Sequence, residues 1–283
     1  ASLVLACFVK ISKIKPVRSI TFIFSPASFC RFLSWVGEMS SLKIINSHPN
    51  SDKLLNIKDD LICDPIDTFE LRDKKYSFNF IKYFYEFLMA NNFANFEKSN
   101  FFLEIGGGYG GFTEIVKKMC PNIKIIYMDI PPQLYVAEQY LKSIFYKKVA
   151  GFKETKEMEF ITQDSFLDYD ILIVPPWDII KIQSNLIDFF YNANSFQEMQ
   201  KETVSNYCKQ LSRIVKNKIV LLEGREGNGA IVNPVTRTEY IDYMKSNGFK
   251  LVEERLVAYG GHLRSDPSAP FCHSDLYFFE KAN

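Results

Sequence analysis

The sequence predicts an α/β fold that is built on a mostly parallel β-sheet. From residue 101 onward, apolar runs typical of buried strands alternate with segments of helical spacing. The first of these runs, Phe101–Ile105, leads through a glycine-rich turn into a helical pattern. In α/β proteins, a strand followed by a glycine turn and a helix N-terminus commonly binds a nucleotide-like ligand. We therefore expect a ligand site at one edge of this sheet.

The individual elements follow from periodicity and from turn residues. Helices are predicted over residues 76–89, 112–119, 133–146, 200–215 and 238–247, and strands over 101–105, 123–129, 170–174, 186–191, 218–222, 251–259 and 276–280. The charged stretch 149–168 fits no clear pattern and is interpreted as an insertion. Residues 76–283 are thus expected to form the main domain.

Residues 1–75 show no clean period and predict an N-terminal extension that contains short helices and could contain a strand. This extension could form a substrate lid or the contact of a homodimer. Their first apolar stretch, of about eight residues, is too short to cross a bilayer. A second one, residues 20–36, is interrupted by polar side chains. No membrane span is predicted.

Charge and cysteine usage limit the classes of partner. The chain of 283 residues has 34 basic and 33 acidic residues, which argues against nucleic acid or an anionic membrane as the main partner. A small-molecule substrate fits better. The six cysteines are scattered, without metal-ligand spacing, which indicates reduced thiols and a cytoplasmic location.

Residues 104–111, EIGGGYGG, fit two ligand-binding templates. The glycines of residues 106–111 fit GxGxxG, the dinucleotide fingerprint, which is weak on its own. Glu104 extends the pattern to ExGxGxG, in which a carboxylate can bind the amino-acid moiety of S-adenosylmethionine (SAM). An ammonium group requires such an acid, and a pyrophosphate does not. Asp129, at the end of the next predicted strand, could bind ribose hydroxyls in either case.

Four segments together carry a resemblance to a known family. They are LEIGGGYGG (103–111), YMDIPPQLYVAEQYL (127–141), VPPW (174–177) and NANSFQEM (192–199). With them the chain resembles the sugar O-methyltransferases of bacterial surface-glycan clusters, a branch of the class I SAM-dependent methyltransferases. The resemblance covers residues 76–280 and is densest over 101–199.

The resemblance implies a Rossmann-like class I methyltransferase fold, with a seven-stranded sheet of order 3-2-1-4-5-7-6 and an antiparallel last strand. It also implies a SAM-dependent O-methyltransferase of polysaccharide biosynthesis, acting on a hydroxyl of a sugar or nucleotide-sugar acceptor. The alternatives are an NAD(P)-dependent oxidoreductase and a non-catalytic methyltransferase-like binding domain. Some related enzymes use a divalent metal, for which Glu198, Glu223 and Asp275 could supply oxygen ligands, but no metal site is predicted.

Ligands of open parallel sheets lie beyond the carboxyl ends of the strands. The predicted cofactor contacts are Glu104, Gly106, Gly107, Gly108, Tyr109, Gly110, Asp129, Ile130, Pro176, Trp177, Asn194 and Ser195. The indole of Trp177 could stack on adenine or serve only as an apolar anchor. In a competing register, residues 159–162 form the third strand and Asp164 faces the adenine.

Methyl transfer needs a positioned acceptor and a base for its hydroxyl proton. The loop GGHLRSDPSAPFCHSD, residues 260–275, joins the last two predicted strands and should lie on the active face. His262 or His273 is therefore the predicted base, with Glu198 or Asp275 orienting it. The alternative for each histidine is a hydrogen bond that stabilises the loop.

Overall fold

The chain folds around one large mixed β-sheet, and a computed structural model describes residues 51–62, 64–224, 233–256 and 274–282. The helices are α1 (Phe78–Ala94), α2 (Gly111–Met119), α3 (Pro131–Phe145), α4 (Phe152–Thr155), α5 (Lys201–Ile214) and α6 (Arg237–Ser246). The strands are β1 (Thr68–Leu71), β2 (Lys74–Ser77), β3 (Phe101–Ile105), β4 (Lys124–Met128), β5 (Val149–Ala150), β6 (Ile171–Val174), β7 (Ile187–Ala193), β8 (Val215–Gly224), β9 (Phe249–Leu256) and β10 (Ser274–Lys281). Short 3-10 helices occupy Ser51–Asn56, Phe96–Lys98, Tyr146–Lys148, Gln163–Phe166, Pro176–Lys181 and Phe196–Glu198. Every predicted helix and strand is present, with its ends shifted by a few residues.

The sheet has eight strands in the order β5-β6-β4-β3-β7-β8-β10-β9. Strands β5, β6, β4, β3, β7 and β8 are parallel neighbours, and β10 is antiparallel to β8 and β9. Counted from β3 as the first strand, this is the order 3-2-1-4-5-7-6 with β5 added at one edge. The predicted Rossmann-like fold with an antiparallel last strand is confirmed. The predicted number of strands was one too low, because β5 has only two residues.

The sheet lies between two apolar layers, because its central strands are buried on both faces. Side chains of α1, α2 and α3 pack on one face, and those of α5 and α6 pack on the other. Successive residues of a strand point to opposite faces, so Phe102 joins the first layer and Leu103 the second. This double burial produces the apolar runs from which the strands are predicted.

Helix α1 begins later than the periodicity predicts, because Tyr76 belongs to the antiparallel hairpin β1–β2. The buried Tyr76 hydroxyl donates to the carbonyl of Leu54 at 3.2 Å. Ser77 caps α1, and the Asp59 carboxylate accepts both its N–H and its hydroxyl, each at 2.7 Å. The described part of the predicted N-terminal extension therefore contains a hairpin as well as a 3-10 helix, and it packs against α1.

The third strand of the parallel sheet is β6, which pairs with β4. The competing register is therefore wrong: of residues 159–162, only Ile161 makes a bridge, to Ile182 outside the sheet. Asp164 is exposed and lies in a 3-10 helix whose last residue, Phe166, accepts a hydrogen bond from Lys124 at the start of β4. It thus lies towards the amino ends of the strands, on the wrong side for the predicted ligand.

Two of the cysteines, Cys120 and Cys208, are described, and both are buried free thiols. Burial raises the pKa of Cys120 to about 11 and that of Cys208 to about 12, so both are expected to be unreactive.

Among the helices of the described ranges, none combines the length and the apolar character that crossing a membrane would require.

Candidate cofactor crevice

The turn between β3 and α2 has the tight conformation that its glycines predict. Gly106, Gly108 and Gly110 have φ values of 75°, 63° and 94°, in the left-handed region that favours glycine. At Gly106 a Cβ atom would lie 1.9 Å from the Oγ atom of Ser195, so the turn is in close contact with the residues that follow β7. A glycine is therefore required at this position for two independent reasons.

The middle of the turn faces open space. A Cβ atom built on Gly108 would have no other atom within 4 Å. Its neighbour Gly107 instead lies against the protein, where a Cβ atom would be 2.6 Å from both the carboxyl carbon of Glu104 and the ring of Tyr127. Gly108 thus presents its backbone to the side on which a ligand can approach.

Asp129, directly after β4, is tied to the glycine turn. Its carboxylate accepts the N–H of Gly108 at 2.9 Å and that of Ile130 at 2.7 Å. The Tyr127 hydroxyl contacts both the Gly108 carbonyl and the Asp129 carboxylate. Burial raises the pKa of Asp129 although these bonds oppose the shift, and its side chain is still half-exposed. The carboxylate can therefore hold the turn and accept hydrogen bonds from a ligand.

Glu104 is a buried acid beneath the same turn, only 3% exposed. The Thr113 hydroxyl donates to its carboxylate. Burial raises the pKa of Glu104 to about 8, and the nearby negative charges of Glu86 and Asp129 add to this shift. A cationic group at this place would stabilise the ionised form, so the site favours a ligand with positive charge.

Tyr109, a predicted cofactor contact, packs its ring against two other tyrosines. Its ring packs edge-on against Tyr140 and Tyr83, with centroid distances of 4.8 and 5.8 Å. Its hydroxyl lies beside the Cα atom of Gly111, at the start of α2. The side chain therefore packs between α1 and α3, which stabilises the turn from behind.

The residues after β7 form the opposite wall of the crevice. The Asn192 side chain donates to the carbonyl of Ile105 at 2.6 Å and accepts the N–H of Phe196 at 3.2 Å. Asn194 has a left-handed backbone, and its N–H donates to the carbonyl of Leu222. Asn194 and Ser195 are half-buried at the carboxyl end of the sheet.

Exposed apolar side chains lie at the ends of two neighbouring strands. Ile130 follows β4 and is 56% exposed, and Trp177 follows β6 and is 57% exposed. Both lie just beyond the paired strand ends Met128 and Val174. Together with the half-buried Pro176 they offer an apolar surface that suits a flat aromatic ring such as adenine.

The predicted catalytic carboxylates differ in accessibility. Glu198 is exposed, and its negative charge raises the pKa values of Asp129 and Glu223, which shows that it is close to the crevice. Asp275 is fully buried in β10, directly opposite Glu223 of β8. His262 and His273, the predicted bases, lie outside the described residues.

Glu223 is the residue whose role sequence reasoning missed. The sequence indicates it only as a residue at the end of a strand and as a possible metal ligand, but it is fully buried and accepts the backbone N–H groups of Ser195, Phe196 and Gln197. Burial raises its pKa to about 8.

In the described ranges, no group of three or more histidine, cysteine or acidic side chains is arranged to hold a metal ion.

A different cleft, of about 430 Å³, lies at the amino ends of the strands and is lined in part by Lys216, Lys218 and Lys281. Each of these amines already binds an oxygen atom of the protein. Their charges are therefore compensated within the fold. The carboxyl end of the sheet, where Glu104 and Asp129 lie at the open glycine turn, is the better candidate site.

The two buried glutamates predict how stability depends on pH. The pKa values of Glu104 and Glu223 are raised from 4.5 to about 8, so folding favours their protonated forms. Their stabilising contribution is complete below the ordinary pKa and is lost as the pH approaches 8. We expect the free energy of unfolding to fall between about pH 5 and 8, by at most about 1.4 kcal/mol per pH unit for each group.

Urea denaturation at several pH values measures this slope. Glu104→Gln should flatten it, because the substituted group cannot titrate. Glu253 is half-buried and its pKa is lowered by the hydrogen bond to Arg255. The control variant Glu253→Gln should therefore leave the slope between pH 6 and 8 unchanged. Equal slopes for the wild type and Glu104→Gln would contradict the raised pKa.

No known protein family matches the sequence, and no curated protein is detectably similar to it. Among solved structures, a SAM-dependent methyltransferase from Aquifex aeolicus is 14% identical, with a TM-score of 0.44 over 65% of this chain and 82% of that chain. The PH0226 protein from Pyrococcus horikoshii OT3 is also 14% identical, with a TM-score of 0.48 over 71% and 89%. The mitomycin 7-O-methyltransferase MmcR is 11% identical, with a TM-score of 0.48 over 89% and 68%.

Proposed function

We propose that this protein is a SAM-dependent methyltransferase. The observation that carries the proposal is Glu104, an acid buried beneath a glycine turn, where burial raises its pKa to about 8. Asp129 and Glu198 add negative charge at the same edge of the sheet. SAM carries an ammonium and a sulfonium group, so its charge complements this crevice.

The dinucleotide alternative is disfavoured by the same contacts. A glycine turn that binds a pyrophosphate directs its free N–H groups at the phosphate oxygens. Here the N–H of Gly108 already donates to Asp129 at 2.9 Å. A pyrophosphate would also approach the negative charge of Asp129. An NAD(P)-dependent oxidoreductase therefore fits this turn less well.

The cofactor contacts follow from the positions of the side chains. Glu104 would bind the ammonium group, and Asp129 the ribose hydroxyls. The apolar surface of Ile130 and Trp177 would receive the adenine, and Asn194 and Ser195 would lie beside the methionine portion. When bound, SAM supplies an electrophilic methyl group, and the protein holds the acceptor in line with it.

Binding of methyl-tritiated SAM, compared with the fluorescence quenching of NADH, tests the proposed class. We expect retention of SAM and no quenching. Quenching of NADH without SAM retention would overturn the proposal in favour of an oxidoreductase. SAM retention without methyl transfer to any of a panel of sugars and nucleotide sugars would instead support a non-catalytic binding domain.

For the reaction itself we propose O-methylation of a sugar hydroxyl, with His262 or His273 as the base. The support is the resemblance of segments 103–111 and 192–199 to sugar O-methyltransferases, together with the exposed Glu198 near the crevice. The base would take the hydroxyl proton as the new carbon–oxygen bond forms, and Glu198 or Asp275 would orient it.

Turnover of His262→Ala and His273→Ala at saturating SAM tests this assignment. We expect at least one of them to lose tenfold or more in kcat, because general-base catalysis contributes about 10²–10⁴-fold. SAM affinity should be unchanged in both. If neither variant falls tenfold, neither histidine is the base.

A further inference from the structure

The turn that follows β7 is bound to the end of β8 through a single buried carboxylate. One Glu223 oxygen, Oε1, accepts the N–H of Ser195 at 3.3 Å and that of Phe196 at 3.2 Å. The other, Oε2, accepts the N–H of Gln197 at 3.1 Å. Three consecutive backbone N–H groups thus converge on one side chain with no exposed surface.

The same two segments are also bound in the opposite direction. The side-chain oxygen of Gln197 accepts the N–H of Gly224 at 2.7 Å. Each segment therefore contributes a side-chain acceptor to the backbone donors of the other. The N–H of Asn194 adds a bond of 2.7 Å to the carbonyl of Leu222. The turn cannot move away from β8 without breaking all of these bonds.

The other side of the turn is in contact with the glycine turn. Ser195 lies so close to Gly106 that a Cβ atom there would be 1.9 Å from its Oγ atom. The buried ring of Phe196 holds the turn from below, stacked on Tyr207 with a centroid distance of 5.7 Å. The position of the turn therefore sets the distance between the two walls of the crevice.

We infer that Glu223 is a positioning residue for methyl transfer: with Gln197 it forms a reciprocal clamp that fixes Ser195 against Gly106 and presents Glu198 at the rim of the crevice. The effect on catalysis presupposes the proposed function. The clamp itself is inferred from the hydrogen bonds alone. Glu223 does not touch the predicted ligand space, and it acts through the turn.

The geometry explains why a glutamate is needed. Its carboxyl group can accept hydrogen bonds on both oxygens whether it is ionised or protonated, which matches three converging donors. A glutamine has the same shape, but its amide NH₂ group would face one of the N–H groups, donor against donor. An aspartate keeps the charge but is one methylene shorter, so it would reach the turn poorly. Neither substitution should reproduce the clamp.

Glu223→Gln tests the inference, with Glu254→Gln as the matched control. Glu254 is a half-buried carboxylate of the outermost strand β9, paired with Arg237 and separated from β8 by β10. We expect Glu223→Gln to raise the KM for SAM about tenfold and to lower kcat, while Glu254→Gln changes neither. Glu223→Asp should show a smaller defect of the same kind.

Stability is measured on the same variants at pH 8, where the wild-type carboxylate is partly ionised. Glu223→Gln removes a buried charge, so its unfolding midpoint should not fall in proportion to its activity. A lower midpoint with unchanged KM and kcat for the folded enzyme would show that Glu223 is only structural, and it would overturn the inference.

Amide hydrogen exchange separates this inference from the proposed function. We expect exchange at residues 195–197 and at Gly224 to be at least tenfold faster in Glu223→Gln, with Glu254→Gln like the wild type. If wild-type protein fails to bind SAM, the proposed function is wrong, but faster exchange would still establish the clamp. Unchanged exchange in Glu223→Gln would show that there is no clamp, whatever the cofactor.

Discussion

Gly108→Val is expected to abolish SAM binding, with a loss of affinity of more than about 100-fold. Gly108 has a φ of 63°, and its open side faces the crevice. A β-branched side chain resists this backbone conformation and would occupy the space into which the ligand fits. Its N–H also holds Asp129, so a distorted backbone would release a second predicted contact.

Gly248 offers a matched control for the conformational cost. It follows α6, has a φ of 84°, and a Cβ atom there would likewise meet no atom within 4 Å. Gly248→Val should therefore be strained to a similar degree, of the order of 1–3 kcal/mol, without any effect on the crevice. Calorimetric titration with SAM should show normal affinity for Gly248→Val and no binding for Gly108→Val. Normal SAM affinity in folded Gly108→Val would refute the placement of the ligand.

Glu104→Gln is expected to lower SAM affinity by about 10- to 100-fold, because a hydrogen bond to a charged group contributes about 1.5–3 kcal/mol. The glutamine has the same shape and can still accept the Thr113 hydroxyl, so the turn should keep its structure. What is lost is the ionised form, which the ammonium group requires.

Glu114→Gln supplies a comparison for Glu104→Gln, since Glu114 is also a buried acid but lies on α2, bound to Lys118 and Tyr140. Loss of the Glu114 carboxylate should lower the stability of the protein more than its affinity for SAM. Titration of both variants with SAM at pH 7 measures the difference. Wild-type affinity in Glu104→Gln would show that its carboxylate does not bind the cofactor.

The sequence was sufficient for most of the fold, because parallel strands that are buried on both faces appear as apolar runs. It failed where an element is short or where two periodicities overlap. Strand β5 has two residues and leaves no pattern. The apolar residues around Tyr76 continue the helical spacing of α1, although Tyr76 itself points into the core from a hairpin.

The candidate site could be predicted in the same partial way. Glu104 lies near the end of β3, Asp129 and Ser195 follow β4 and β7, and the rule for parallel sheets brings all three to one edge. The role of Glu223 could not be predicted, because its partners lie 26 to 28 residues away and are backbone N–H groups, which every residue type except proline carries. The burial of Asp275 is likewise a result of strand pairing that the local sequence does not encode.

The central claim is that Glu104 binds the ammonium group of SAM, and proton uptake or release tests it most directly. In the free protein the pKa of Glu104 is about 8, so the group is mostly protonated at pH 7. An α-amino group with a pKa of about 7.7–8.0 is mostly charged at that pH. Pairing the two requires the ionised carboxylate, so binding must release a proton.

Calorimetric titration of SAM at pH 7, in buffers with different ionisation enthalpies, measures this release. We expect saturable binding with a net release of protons in the wild type and no release in Glu104→Gln. Absence of SAM binding, or binding with the same proton release in both proteins, would contradict it.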